Sequence, residues 1–199
     1  MKTLIKAAAF ICLFLAAGCA QTGTSVKSEN KVQSAPEAKL YTAYNIWKVN
    51  RLLLRRCINY KYGYNIIPAG TEVLFAKIGE DRDKRTAIKF ATAKDNHEYN
   101  IYFVSEWHPS KTIEDYLGYM FTPKTFEELT AGMTETEVDG IKRGIVLNGM
   151  SKEAVLVCYG YPPEHRTRSL ESNVWVYWKN RLTSFEVCFD KDNRTTNCR

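Results

Sequence analysis

The sequence predicts an α+β fold, a small antiparallel β-barrel-like module followed by helices and closing strands. Three observations predict it. The segment Thr86-Ala87-Ile88-Lys89-Phe90-Ala91-Thr92 alternates with the period of two expected of a half-buried strand, and similar runs flank it at intervals of about ten residues. From Phe121 onward the pattern turns helical, with helix-start spellings at Thr134-Glu135-Thr136-Glu137 and at Ser151. Two alternating runs then close the chain, one over residues 174–178 and one in which Thr183, Phe185, Val187 and Phe189 share a face.

The first element is a leader. Lys2 and Lys6 precede about a dozen apolar or small residues, too few to span a bilayer, which needs roughly 20. Leu15-Ala16-Ala17-Gly18-Cys19 resembles the lipobox of bacterial lipoprotein signals, with Leu standing one place further from the cysteine than usual. The resemblance implies a signal peptide over residues 1–18, diacylation of Cys19 and acylation of the new amino terminus. Each buried methylene contributes about 0.8 kcal/mol, so two or three chains hold a protein to a membrane essentially for good. Ala20, where an Asp would mark inner-membrane retention, fits an outer-membrane protein facing the periplasm. Residues 19–39 are polar and poor in large apolar side chains, the composition of a flexible tether with a typical span of roughly 20–30 Å.

The chain of 199 residues carries 28 Lys+Arg against 22 Asp+Glu. Removing the leader leaves 26 basic and 22 acidic groups, a mild excess that suits an anionic envelope surface but is too small and dispersed for nucleic-acid binding. Aromatics make up 13% of the chain, which suggests β-rich modules using large rings in cores and surfaces. Of the six cysteines, Cys12 leaves with the leader and Cys19 is the lipidation candidate. Cys57, Cys158, Cys188 and Cys198 remain in an oxidising compartment and permit three pairings. Cys188 and Cys198 are the disulfide candidate, closing the end of a hairpin, whereas Cys158 falls on an apolar helix face. No C-x-x-C or Cys/His spacing points to zinc.

Residues 40–120 form the β-rich module. Ile58 and Tyr60 alternate with polar neighbours, Thr71 to Ile78 is rich in strand formers, and Tyr99 to Val104 is a further run. Breaks fall at Pro68-Ala69-Gly70, at the charged tip from Gly79 to Lys84, and at Lys94-Asp95-Asn96-His97. Ile67-Pro68-Ala69-Gly70-Thr71-Glu72-Val73 is similar to the loop and strand seen in bacterial SH3-like barrels.

Residues 121–199 form the helical segment and closing sheet. Thr122 with Pro123 reads as a first helix start, Thr134 with Glu137 as a capping box for a helix ending near Gly144, and Ser151 as the cap of a third helix. Ala154, Val155 and Cys158 face inward on that last helix, Gly160 supplies a left-handed end, and Pro162-Pro163 prevents continuation. Asn180-Arg181 suits a hairpin turn. Gly149-Met150-Ser151-Lys152-Glu153-Ala154-Val155, then Tyr159-Gly160-Tyr161-Pro162, then Val174-Trp175-Val176-Tyr177 resembles the SmpA/OmlA (BamE-type) lipoprotein domain. That resemblance implies two helices on a three-stranded antiparallel sheet and a role in outer-membrane assembly or envelope integrity. Gly132-Met133-Thr134-Glu135-Thr136-Glu137-Val138 echoes the first of these motifs, but neither the proline turn nor the Trp strand follows it.

No catalytic set is read from the residues. His97, His108 and His165 have no partner in a nucleophile motif, and no glycine-rich phosphate loop occurs. Large rings on one face of the Trp175/Tyr177 strand, and the basic cluster of Arg51, Arg55 and Arg56 with Lys61, are the candidate partner-binding residues. The expected function is a non-catalytic, lipid-anchored binding or scaffold protein without cofactor or metal. Its expected partner is an envelope protein, with peptidoglycan as the alternative ligand.

Overall fold

Two hydrophobic cores form on two main antiparallel sheets in the computed structural model, which describes residues 39–48, 57–61 and 65–198. These residues fall within one compact unit, Glu37–Arg199. In chain order the elements are β1 (Leu40–Thr42), β2 (Ile46–Trp47), β3 (Ile66–Ile67), β4 (Glu72–Glu80), β5 (Thr86–Thr92), β6 (Glu98–Ile101), α1 (Ile113–Met120) and β7 (Phe121–Thr122). There follow α2 (Phe126–Leu129), α3 (Glu135–Arg143), α4 (Lys152–Tyr159), β8 (Val174–Trp178), β9 (Ser184–Phe189) and β10 (Thr195–Thr196).

The α+β class is therefore correct, but the first sheet is open rather than a closed barrel. Its order is β6-β5-β4-β1-β7, leaving β6 and β7 as opposite edges. The physical reason is α1, a helix inside the stretch expected to be all β. Its Tyr116 and Met120 are fully buried in the same core as Ile88, Phe90, Tyr99 and Ile101 from β5 and β6. The helix thus covers the sheet face that a second barrel layer would otherwise cover. The β4–β5 hairpin carries a bulge between Val73 and Phe75, which leaves Leu74 56% exposed. Its tip is fixed by Asp81, whose carboxylate accepts from the Asp83 and Arg85 amides, the Arg85 guanidinium and the Tyr102 hydroxyl.

Helix starts follow side-chain capping. Thr112 and Asp115 form a capping box at α1, Thr125 and Glu128 at α2, and Thr134 and Glu137 at α3. The start expected at Thr122 lies three residues later, because Thr122 is still paired with Tyr41 in the sheet. Ile58 and Tyr60 are not in a strand; residues 57–58 form a turn. Helix α3 ends with Gly144 in the left-handed conformation, and Ser151 caps α4 by accepting from the Ala154 amide at 3.2 Å.

The second core lies between α3, α4 and the sheet β10-β9-β8. Along β8, Trp175 and Tyr177 point into it, while Val174, Val176 and Trp178 share the other face. Phe185, Val187 and Phe189 of β9 complete the inner face, and the β8–β9 connection is held by Asn180 Oδ1, which accepts from the amides of Leu182 and Thr183. Cys188 and Cys198 are joined in a disulfide across the β9–β10 end.

Candidate functional site at the seam between the cores

The sequence candidates separate sharply in space. Trp175 and Tyr177 are 0% and 1% exposed, so they do not supply the partner-binding surface expected of them. Trp175 donates through Nε1 to the Leu170 carbonyl at 3.2 Å and packs edge-on against Phe189. Tyr177 donates its hydroxyl to the Gly160 carbonyl at 2.8 Å. Alternation along β8 tells which rings share a face; the helices decide which face is covered. Cys19, Arg51, Arg55 and Arg56 lie outside the described residues.

Lys61, grouped with those arginines as an outward-facing base, turns inward. Its Nζ donates to the Asn59 carbonyl at 2.6 Å and to the Tyr159 carbonyl at 2.7 Å. It lies 4.4 Å from the Trp47 ring centroid and 5.3 Å from those of Tyr159 and Tyr177. Burial holds this ammonium well below its ordinary pKa. The two carbonyls and three ring faces partly replace its hydration. Asn59 also reaches Tyr159, donating through Nδ2 at 3.2 Å, so this turn clasps the carboxyl end of α4. Beyond it, Gly160 adopts φ 75° and ψ −173°, a region open essentially to glycine alone, and a Cβ there would lie 2.8 Å from the Tyr44 ring.

The chain leaving Gly160 meets the segment that precedes α1. Glu164 accepts from the Ser110 amide at 2.9 Å and from the Ser110 hydroxyl, and the His165 amide donates to the Trp107 carbonyl at 3.2 Å. Burial raises the Glu164 pKa, but the Ser110 bonds outweigh it and hold the carboxyl below its usual range. Tyr119 and Tyr161 stack at 4.0 Å and 12°, with the Lys111 ammonium 5.9 Å from the Tyr119 ring. His165 stacks over Trp178 at 6.5 Å, and the Arg166 guanidinium lies 5.9 Å from the same ring.

No protein-family model, characterised protein or solved structure matches this chain.

The seam therefore has to be read from its own chemistry. The Ser110 hydroxyl is committed to Glu164, which leaves it without a histidine to activate it. His108 is 3% exposed and packs on Phe103 and Tyr116; burial lowers its pKa to about 4, so it is neutral near pH 7. Two buried nitrogens here, His108 Nε2 and Trp178 Nε1, have no hydrogen-bond partner among the described residues. The rim around them exposes His165 and Arg166, with Trp178 partly open beneath. A cationic rim over aromatic surface is suited to docking. His97 sits apart, in a turn organised by Asp95, which accepts from the His97 amide and the Tyr99 hydroxyl. No described helix is long and apolar enough to cross a membrane.

Proposed function

We propose that this chain is an exported, lipid-anchored protein of the bacterial envelope that acts as a non-catalytic docking or assembly-scaffold module. The observation that carries this reading is Leu15-Ala16-Ala17-Gly18-Cys19 at the end of a basic and then apolar leader, followed by a polar segment suited to a tether. Acylation at Cys19 would confine the protein to a membrane surface and raise its effective concentration toward partners there. The outer membrane, on its periplasmic side, is the proposed location.

The carboxyl-terminal part is proposed to be of the SmpA/OmlA type. Support comes from two helices, α3 and α4, followed by the antiparallel sheet β8–β10, with the quoted glycine, proline and Trp-x-Tyr motifs at the α4 cap, the α4 exit and β8. The docking face is proposed to be the rim of His165 and Arg166 over Trp178, with Lys111 on the neighbouring Tyr119 ring, and the partner an envelope protein with an acidic surface.

Crosslinking in intact cells, followed by mass spectrometry, tests this directly. Acylated Cys19 and one recurrent protein partner, lost on Arg166→Glu, are expected. A free Cys19 thiol on a freely soluble protein would overturn the anchor. The partly exposed Tyr119–Tyr161 stack beside Lys111 favours a second reading, a peptidoglycan ligand, since flat rings take sugar faces well. Retention on purified cell wall that is lost on Tyr161→Ala would favour it over the protein partner.

A further inference from the structure

Outside the seam, one group of side chains has the makings of a metal site. Glu186 and Cys188 are two residues apart on β9 and therefore share a face, the one turned away from the second core. Cys188 pairs with Val174 of β8 and with Thr196 of β10, and Cys198 lies two residues past Thr196. The carboxylate of Glu186 and the two sulfurs all fall within 4.8 Å of one another. Cys198 Sγ is also 3.7 Å from the Glu186 carbonyl oxygen. The Glu186 side chain is exposed and makes no hydrogen bond or ion pair among the described residues, so its oxygens are open to a ligand.

We propose that reduction of the Cys188–Cys198 disulfide converts this corner into a thiolate–carboxylate site for a divalent cation of the zinc class, with Glu186, Cys188 and Cys198 as ligands. The proposal does not rest on the envelope reading. Its chemistry balances with a dithiol as reductant. Thiol–disulfide exchange breaks the Cys188–Cys198 bond, forms one disulfide within the reductant, and leaves two cysteine thiols that carry its two electrons and two protons. The cation then displaces both protons to solvent as two metal–sulfur bonds and one metal–oxygen bond form. Two thiolates and one carboxylate make a borderline-soft donor set that suits Zn²⁺ over Mg²⁺ or Ca²⁺, with water left to fill the fourth position.

The geometry tolerates the exchange. Thiolates on a tetrahedral ion at about 2.3 Å each lie roughly 3.8 Å apart, so the sulfurs must separate by less than about 2 Å from bonding distance. Cys188 is held by ladder partners on both sides, whereas Cys198 lies beyond β10 at an exposed position and can yield. Metal or disulfide would then close the same loop, which spans a sequence separation of 10.

Titration of the reduced, desalted full chain with Co²⁺ under anaerobic conditions tests the proposal. One equivalent should produce sulfur-to-cobalt charge-transfer absorption, and Zn²⁺ should abolish it by displacement. Oxidised protein should show none. Cys188→Ser and Cys198→Ser should each lose the band, and Glu186→Gln, an exposed change that leaves the fold alone, should weaken Co²⁺ binding roughly tenfold or more. Absence of the band in reduced protein, its persistence in the Cys188→Ser/Cys198→Ser double variant, or unchanged affinity in Glu186→Gln would each overturn it.

Discussion

Asn45 and Ile141, separated by 96 positions, meet at 2.8 Å, where the Asn45 side-chain amide donates to the Ile141 carbonyl. The same side chain accepts from the Ala69 amide at 2.9 Å, and the Asn45 amide donates to the Val157 carbonyl at 3.1 Å. Asn45 is 2% exposed. It joins β2, the β3–β4 turn and the two helices of the second core, and every bond it makes is shielded from water.

Asn45→Ala should therefore be among the most damaging single changes. It strands one buried donor, the Ala69 amide, at roughly 1–3 kcal/mol, and takes one of two donors from the Ile141 carbonyl, which keeps the Gly144 amide. Asn45→Asp keeps the acceptor for Ala69 but sets an oxygen against the Ile141 carbonyl, so it should not rescue. Chemical denaturation of the two variants checks this; a loss below about 1 kcal/mol for Asn45→Ala would contradict the bridging role.

Glu137 offers a second test, because the fold uses it as more than a cap. It accepts from the Thr134 amide at 2.8 Å, the Ser151 amide at 2.7 Å and Arg194 at 2.9 Å, tying α3 to the start of α4 and to the strand end before β10. Burial raises its pKa, but these bonds win and hold it at about 2 against an ordinary 4.5. A depressed carboxyl stabilises the fold when ionised, so its contribution should be present above about pH 4.5 and be lost as pH falls toward 2. Glu137→Ala should lower the melting temperature by several degrees at pH 7, at about 2–4 °C per kcal/mol for a chain of this size, and by much less at pH 2.

His108 sets a pH dependence with a different window. Its pKa is about 4 in the folded chain against 6.5 for the free group, with burial as the leading cause. Glu164 opposes that shift, while His165 and Lys111 reinforce it. Between these values the unfolded chain takes up a proton that the folded chain refuses. Stability should fall as pH drops from about 6.5 to about 4, by roughly 3 kcal/mol in total. His108→Phe should flatten that part of the stability–pH profile, as read by thermal denaturation from pH 7 to pH 4. An unchanged profile would mean that the ring is not buried as described.

Gly160→Ala should be costly out of proportion to one methyl group. The backbone conformation excludes a Cβ and the Tyr44 ring occupies its place at 2.8 Å, so a loss of about 1–3 kcal/mol is expected. Gly118→Ala, at a helix position where an added Cβ meets nothing within 4 Å, is the matched control and should be neutral or slightly stabilising.

Local chemistry made parts of this fold legible in the sequence. The Thr134/Glu137 box, the Ser151 cap and the alternation of β8 and β9 all depend on neighbours within four residues, and the structure places them as those rules require. Helix α1 was written in the same language, with Thr112 and Asp115 as its box and Ile113, Tyr116, Leu117 and Met120 at helical spacing. The strand-like alternation of the preceding residues runs up to its start and masks it. What local rules cannot show is which face of an element another element covers. That is why Trp175 and Tyr177 read as surface candidates and are core, and why Lys61 read as part of a basic cluster and is instead folded onto three rings. The seam around Ser110 and Glu164 joins residues 54 positions apart, and no spacing rule reaches that far.

The clasp of Asn59 and Lys61 on the last carbonyl of α4 bears on how this molecule can be cut. A fragment ending at Met120 would lose the carbonyl that receives both side chains and two of the three rings around the Lys61 ammonium, leaving it only Trp47. A fragment beginning at Phe121 would end its helix without those donors. Each piece would expose surface that the other now shields, so neither should behave as a separable part, and transplanting one alone into another protein should yield aggregate rather than a working unit.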